Sequence, residues 1–227
     1  MMKRSKAIEA RQQQAIQKKS GLLKNIEINK KLKLSPLIYH VNMLVSFSDV
    51  AVCYDGNTVC DSVSFTLQRG DRIVLDGRNG SGKSSLLKLL LKEPIGYTGM
   101  ITIGSGLVIS YVPQDTLHLK GTLSEFAKEN HIDESLFKAI LRKMDFKRIQ
   151  FEKNIQDFSD GQRKKVLIAK SLCEQAHLYV WDEPLNFMDV YSRMQLEQLI
   201  KEFSPTMIFV EHDQAFRDTI ATKIVRL

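Results

Sequence analysis

Residues 72–91, RIVLDGRNGSGKSSLLKLLL, join an apolar run, a glycine-rich turn and an amphipathic stretch without a break. Gly77, Gly82, Lys83 and Ser84 satisfy the pattern G-x-x-x-x-G-K-[ST], with Arg78, Asn79, Gly80 and Ser81 inside it and Ser85 directly after. A strand leading into such a loop and a helix leading out of it predict a phosphate-binding loop. Glycines let the backbone curl around a phosphate chain with its N–H groups turned inward. Charge and reach then assign roles. Lys83 neutralises the β- and γ-phosphates, Ser84 offers a hydroxyl to Mg²⁺, and the helix N-terminus contributes its positive end.

Working outward, two more apolar runs end in polar residues: HLYVWDEP at 177–184 and TMIFVEHD at 206–213. With DRIVLDG at 71–77 they read as buried parallel strands, whose carboxyl ends carry the chemistry of an α/β domain. Asp182 closes the first of these runs 99 positions after Lys83, where a carboxylate serves as a Mg²⁺ partner. Glu183 beside it is suited to polarising an attacking water. Without the phosphate loop, the same acidic pair would read as a helix cap. Before the loop, MLVSFSDVAVCY at 43–54 and SVSFTLQ at 62–68 alternate in part and flank a DGN turn, as antiparallel strands do. Helical patterns lie between the strands; one, GTLSEFAKEN at 121–130, opens with Thr122 and Glu125 spaced as a capping box.

The chain has 227 residues, 43% hydrophobic and 26% charged, enough for one folded domain and an appendage. No apolar run nears the roughly 20 residues of a membrane span, and no secretory h-region opens the chain, which points to the cytoplasm. Cys53, Cys60 and Cys173 lack any metal-binding spacing and are expected reduced and mostly buried. The net charge of +7 is uneven: residues 1–40 hold ten Lys/Arg against two Asp/Glu, and the remainder holds 23 against 24. Most of that excess lies in KRSKAIEARQQQAIQKKSGLLKNIE, a proline-free stretch of mostly good helix formers. Its apolar stripe (Ile8, Ala15, Ile16, Leu22, Leu23, Ile26) is wide enough for one neighbouring helix and too narrow for a globular core. Residues 1–40 are therefore expected to form a basic helical arm, whose charge fits a polyanionic partner or a solvated helix face.

The motifs together resemble the ATP-binding cassettes. FSDGQRKK at 158–165 is similar to their signature, YVPQD at 111–115 to their Q-loop, NFMD at 186–189 to their D-loop, and VEHD at 210–213 to their switch-histidine region. Tyr54 stands 23 residues before Gly77, where these proteins stack an aromatic ring on adenine. The resemblance implies ATP and Mg²⁺ as ligands. It implies an α/β P-loop fold over 41–227, with a mostly parallel core sheet, an antiparallel β subdomain and a helical subdomain at about 115–160. It implies Gln114 in the Mg²⁺ and water network, Glu183 as the base and His212 at the γ-phosphate. Ser159, Gly161 and Gln162 would close over ATP held by another cassette, with Asp189 at the seam. One chain thus carries halves of two sites, and a second cassette is the implied partner.

The wording SDGQRKKVLIAKSL and WDEPLNFMDV, with the basic arm, resembles the C-terminal cassette of ABC-F proteins. In these, two cassettes are joined by a basic helical linker that enters the ribosome. The arm looks like the returning helix of that linker, which implies ribosomal RNA as a partner. Similarity to the branch that protects ribosomes from lincosamides, streptogramin A and pleuromutilins adds antibiotic protection to the expectation. Two residues depart from the pattern: Asp160 stands at the usual signature glycine and Leu185 at the usual threonine after the proline. Two other functions fit the same motifs. One is the ATP-binding subunit of a membrane transporter, and the other is a fragment that binds ATP without closing a complete site.

Overall fold

The computed structural model describes residues 34–54 and 57–227. The expected arm helix, and the DGN turn at Asp55 and Gly56, lie outside the described residues. Strands β1 (Met43–Tyr54), β2 (Asn57–Gln68) and β4 (Gly96–Ile103) form an antiparallel sheet in the order β2-β1-β4. Its strands alternate incompletely between core and water, as one-sided sheets do, and β1 is kinked by register shifts such as the one between Phe47 and Val50.

The second sheet has five parallel strands: β3 (Arg72–Asp76), β5 (Ile109–Val112), β6 (Leu178–Asp182), β7 (Met207–Val210) and β8 (Lys223–Arg226), in the order β5-β6-β7-β3-β8. The three runs read as buried strands are here β3, β6 and β7. Every residue of β6 and β7 is buried, because helices cover a parallel sheet on both faces. Helix α1 (Lys83–Leu90) leaves the phosphate loop and buries Leu86, Leu87, Leu89 and Leu90 against the core shared with both sheets.

Between β5 and β6 the chain forms α2 (Leu123–Glu129), α3 (Glu134–Lys143), two short 3₁₀ turns (Arg148–Glu152 and Ile155–Asp157) and α4 (Asp160–Cys173). The expected capping box opens α2: Thr122 Oγ1 accepts from Glu125 N at 3.2 Å, and Glu125 Oε2 accepts from Thr122 N at 2.8 Å. After β6 come α5 (Val190–Phe203) and α6 (Gln214–Ile220), capped by Asp189 and Asp213. Residues 34–40, read from sequence as the end of the arm, lie on this unit. Tyr39 is 4% exposed and donates to Ser105 O at 2.8 Å, and Leu37 N donates to Ala176 O at 2.9 Å.

All three cysteines are free; Cys60 is buried and the other two are half-buried. Burial pushes the Cys173 thiol up to about 12, with Asp133 and Glu174 adding to it. No helix among the described residues is long and apolar enough to cross a membrane.

Candidate functional site

The phosphate loop sits between β3 and α1. Gly82, the residue before α1, has φ +87°, and a Cβ there would lie 2.6 Å from Cys60 Cβ, so only glycine fits. Lys83 is buried, and its ammonium folds back to donate to the carbonyls of Gly77 and Arg78, each at 2.9 Å. That places a positive charge inside the curl of the loop. Ser84, one residue on, hydrogen-bonds the Asp182 carboxylate at the end of β6. Asp182 is 3% exposed and its Oδ1 has no partner among the described residues. Burial raises its carboxyl above the usual range, Glu183 raises it further, and Ser84, Lys164 and Lys88 oppose the rise. A divalent cation would restore the charge that burial disfavours.

Glu183 follows with its backbone in the left-handed region at φ 48°, a conformation uncommon for residues other than glycine. Its Oε2 accepts from Gln114 Nε2 at 2.8 Å and from Asn186 Nδ2. Its Oε1 lies 3.4 Å from His212 Nε2. One oxygen is thus held by two amides while the other faces the imidazole. Asn79, Gly80, Gly82, Lys83, Ser84 and Ser85 on one side, and Gln114, Glu183 and His212 on the other, line a cleft of about 490 Å³. Val59 lines it too, a residue that sequence reading missed because a valine in a strand signals nothing but a strand. Tyr54 stands beside the loop and donates to Ser85 Oγ at 3.1 Å.

Ser159, Gly161, Gln162 and Asp189 form a separate group that does not line this cleft. Ser159 and Gln162 make a capping box at the start of α4. A Cβ on Gly161 would lie 2.2 Å from Phe187 O, so the absence of a side chain lets the NFMD loop press on the helix start. Lys165 Nζ holds Asp189 Oδ2 at 2.8 Å. What burial Asp189 has would raise its carboxyl, but the bonds from Lys165 and from Ser192 outweigh it and bring it to about 2. Asp160, at the usual glycine position, points outward and lies 3.5 Å from Arg163.

The family model described as "ABC transporter" matches residues 60–186, more than half of the chain and the whole span from the phosphate loop to Asp182 and Glu183. The chain belongs to the ABC transporter family. The ATP-binding protein Uup of Caulobacter vibrioides is 31% identical over 81% of this chain and 32% of its own length. The ribosome protection protein VmlR of Bacillus subtilis is 29% identical over 78% of this chain and 33% of its own. This ABC cassette thus spans about a third of the length of the curated relatives it matches. These relatives are ABC-F proteins. Among solved structures, a bacterial Atm1-family ABC exporter with ATP bound superposes with a TM-score of 0.72 at 18% identity, covering 89% of this chain and 41% of that one, a likeness of fold.

Sequence reading of the cassette missed Lys164. The run Arg163-Lys164-Lys165 reads as a solvated face, yet Lys164 is 2% exposed. Its ammonium donates to Pro113 O at 2.9 Å, Gln114 O at 3.0 Å and Asp182 O at 3.4 Å. It therefore ties the start of α4 to the backbone of the Gln114 loop and to the end of β6. Burial lowers its ammonium below the usual lysine range, and the carboxylates of Asp182, Glu183, Glu211 and Asp115 oppose the shift. Lys164→Met keeps the aliphatic length and takes the donor from three carbonyls, of which that of Asp182 is buried and the other two are nearer the surface. It is expected to destabilise the fold by about 3 kcal/mol, at 1–3 kcal/mol for an unsatisfied buried group. Urea denaturation measures this, and an unchanged midpoint would contradict the tie.

Proposed function

We propose that the chain binds and hydrolyses MgATP in this cleft, together with a second cassette, as part of an ABC-F protein acting on the ribosome. The observation that carries the catalytic part is the position of Glu183. It faces the phosphate loop in one cleft, with Oε2 fixed by Gln114 and Asn186 and Oε1 left towards His212. The orphaned Asp182 Oδ1, the Ser84 hydroxyl and the Gln114 amide offer hard oxygen donors, the type that suits Mg²⁺. Those three residues would hold the ion, whose chemistry is to neutralise phosphate charge.

Lys83 and the loop N–H groups bind the phosphate chain, and Tyr54 supports the base. Glu183 Oε1 takes the proton of a water as that water attacks the γ-phosphorus. The bond from the γ-phosphorus to the β–γ bridging oxygen breaks, leaving ADP and inorganic phosphate. His212 fixes Oε1 and faces the γ-phosphate. Ser159, Gly161, Gln162 and Asp189 serve the partner cassette's nucleotide, which accounts for their grouping away from this cleft. ATP turnover by the full gene product, abolished by chelating Mg²⁺ and reported by phosphate release, tests this reading; a protein that binds no MgATP overturns it.

The ribosomal part rests on the resemblance to ABC-F proteins, on the similarity to the ribosome protection protein VmlR and on the basic charge of residues 1–40. Antibiotic protection of the lincosamide, streptogramin A and pleuromutilin kind is the finer form of the same proposal. Lys/Arg contacts to RNA phosphates release counterions, so ribosome co-sedimentation should weaken with salt. Six contacts predict a log–log slope of about −5, at roughly −0.9 each. Changing Lys3, Arg4, Lys6, Arg11, Lys18 and Lys19 to glutamine is expected to flatten that slope and spare nucleotide binding. Unchanged sedimentation at every salt concentration would reduce the arm to a spacer and favour a transporter subunit.

A further inference from the structure

Glu211 has no part in the cleft, yet it is 5% exposed and its carboxylate accepts three backbone N–H groups. Oε1 takes His212 N at 2.7 Å and Asp213 N at 3.2 Å. Oε2 takes Leu185 N at 3.1 Å, two residues after Glu183. One side chain therefore spans the loop that presents His212 and the loop that presents Glu183. A second span runs parallel to it: Arg193 donates from Nε to Met188 O at 3.0 Å and from Nη1 to Asp213 Oδ2 at 2.7 Å.

We infer that Glu211 is a positioning residue for ATP hydrolysis, setting His212 against Glu183 by bridging their two loops. His212 needs such support. Its side chain is 51% exposed, and among the described residues Glu183 Oε1, at 3.4 Å, is the one polar partner of its ring. Residues 211–213 lie between the end of β7 and the start of α6, outside both. The aim of the imidazole is therefore inherited from the backbone of this short link, and the N–H groups of His212 and Asp213 both end on Glu211. A carboxylate suits the task because it has acceptor sites on both oxygens and no donor to turn the wrong way. A glutamine in its place must set its NH₂ against either Leu185 N–H or the His212 and Asp213 pair, donor facing donor, and one loop is released.

The inference rests on the proposed hydrolysis, and the test separates the two. In the full gene product, Glu211→Gln is expected to lower kcat roughly tenfold or more with KM within about twofold, because the substituted group touches no nucleotide. In a His212→Ala background the same change should cost less than twofold, since Glu211 acts through His212. Glu211→Ser keeps an oxygen near the local N–H groups and loses the reach to Leu185, so its kcat should stay low. It also carries the test if the glutamine variant does not fold. Three results overturn the assignment: parental kcat in either variant, an equal loss with and without His212, or a loss of kcat that merely follows a loss of MgATP binding and melting temperature. A parent that does not hydrolyse ATP takes the proposed function down as well. A parent that does, with an equally fast Glu211 variant, removes this inference alone.

Discussion

Glu183→Gln is expected to slow ATP hydrolysis by about 10²-fold or more while leaving MgATP affinity within about twofold, as loss of a general base does. The geometry explains why binding should survive. The glutamine carbonyl can occupy the Oε2 position and keep both amide donors, Gln114 Nε2 and Asn186 Nδ2. What changes is the atom facing His212, where an oxygen able to take a proton becomes an NH₂ group that cannot. The variant should also persist in its ATP-bound, cassette-paired state. Single-turnover phosphate release and equilibrium nucleotide binding, measured together, decide the matter. Unchanged turnover would mean that another group activates the water.

Lys83→Ala is expected to raise the Kd for MgATP roughly 50-fold, equivalent to about 2 kcal/mol. A hydrogen bond to a charged group is worth about 1.5–3 kcal/mol, and Lys83 is the cation at the centre of the loop. Its ammonium already donates to Gly77 O and Arg78 O, so the loop's own carbonyls hold it where a phosphate would meet it. Calorimetric titration with MgATP gives the Kd directly. A value within threefold of the parent would remove Lys83 from the phosphate site.

The parts legible in the sequence are those whose signal is local. The phosphate loop is contiguous, so its residues and its flanking strand and helix can be read together. Strands β3, β6 and β7 each carry an apolar run, Ile73 to Leu75, Leu178 to Trp181 and Met207 to Val210, because both faces are covered there, and each run stops where the polar residues begin. The capping boxes at Thr122 and Ser159 repeat a spacing of three. What could not be read is distant pairing. Lys164 meets carbonyls 50 and 51 residues earlier, and Glu211 meets a backbone N–H 26 residues earlier. In sequence both look like ordinary surface charges. Asn186 falls inside a motif already assigned to another role. The order of the parallel sheet was also hidden, since fully apolar strands carry no register.

The place of β3 in that sheet bears on how the protein is made. Its neighbours on either side are β7 and β8, paired as Arg72 with Met207 and Ile73 with Lys223. Both are translated long after the phosphate loop; Met207 comes 131 positions after Asp76. At about 5–20 residues per second, the loop waits roughly 7–26 s during synthesis before either flanking strand exists. A nascent chain therefore carries the complete nucleotide motif well before it can hold it in shape. The sheet that frames the loop is complete only once β7 and β8 have been made and have docked on either side of β3.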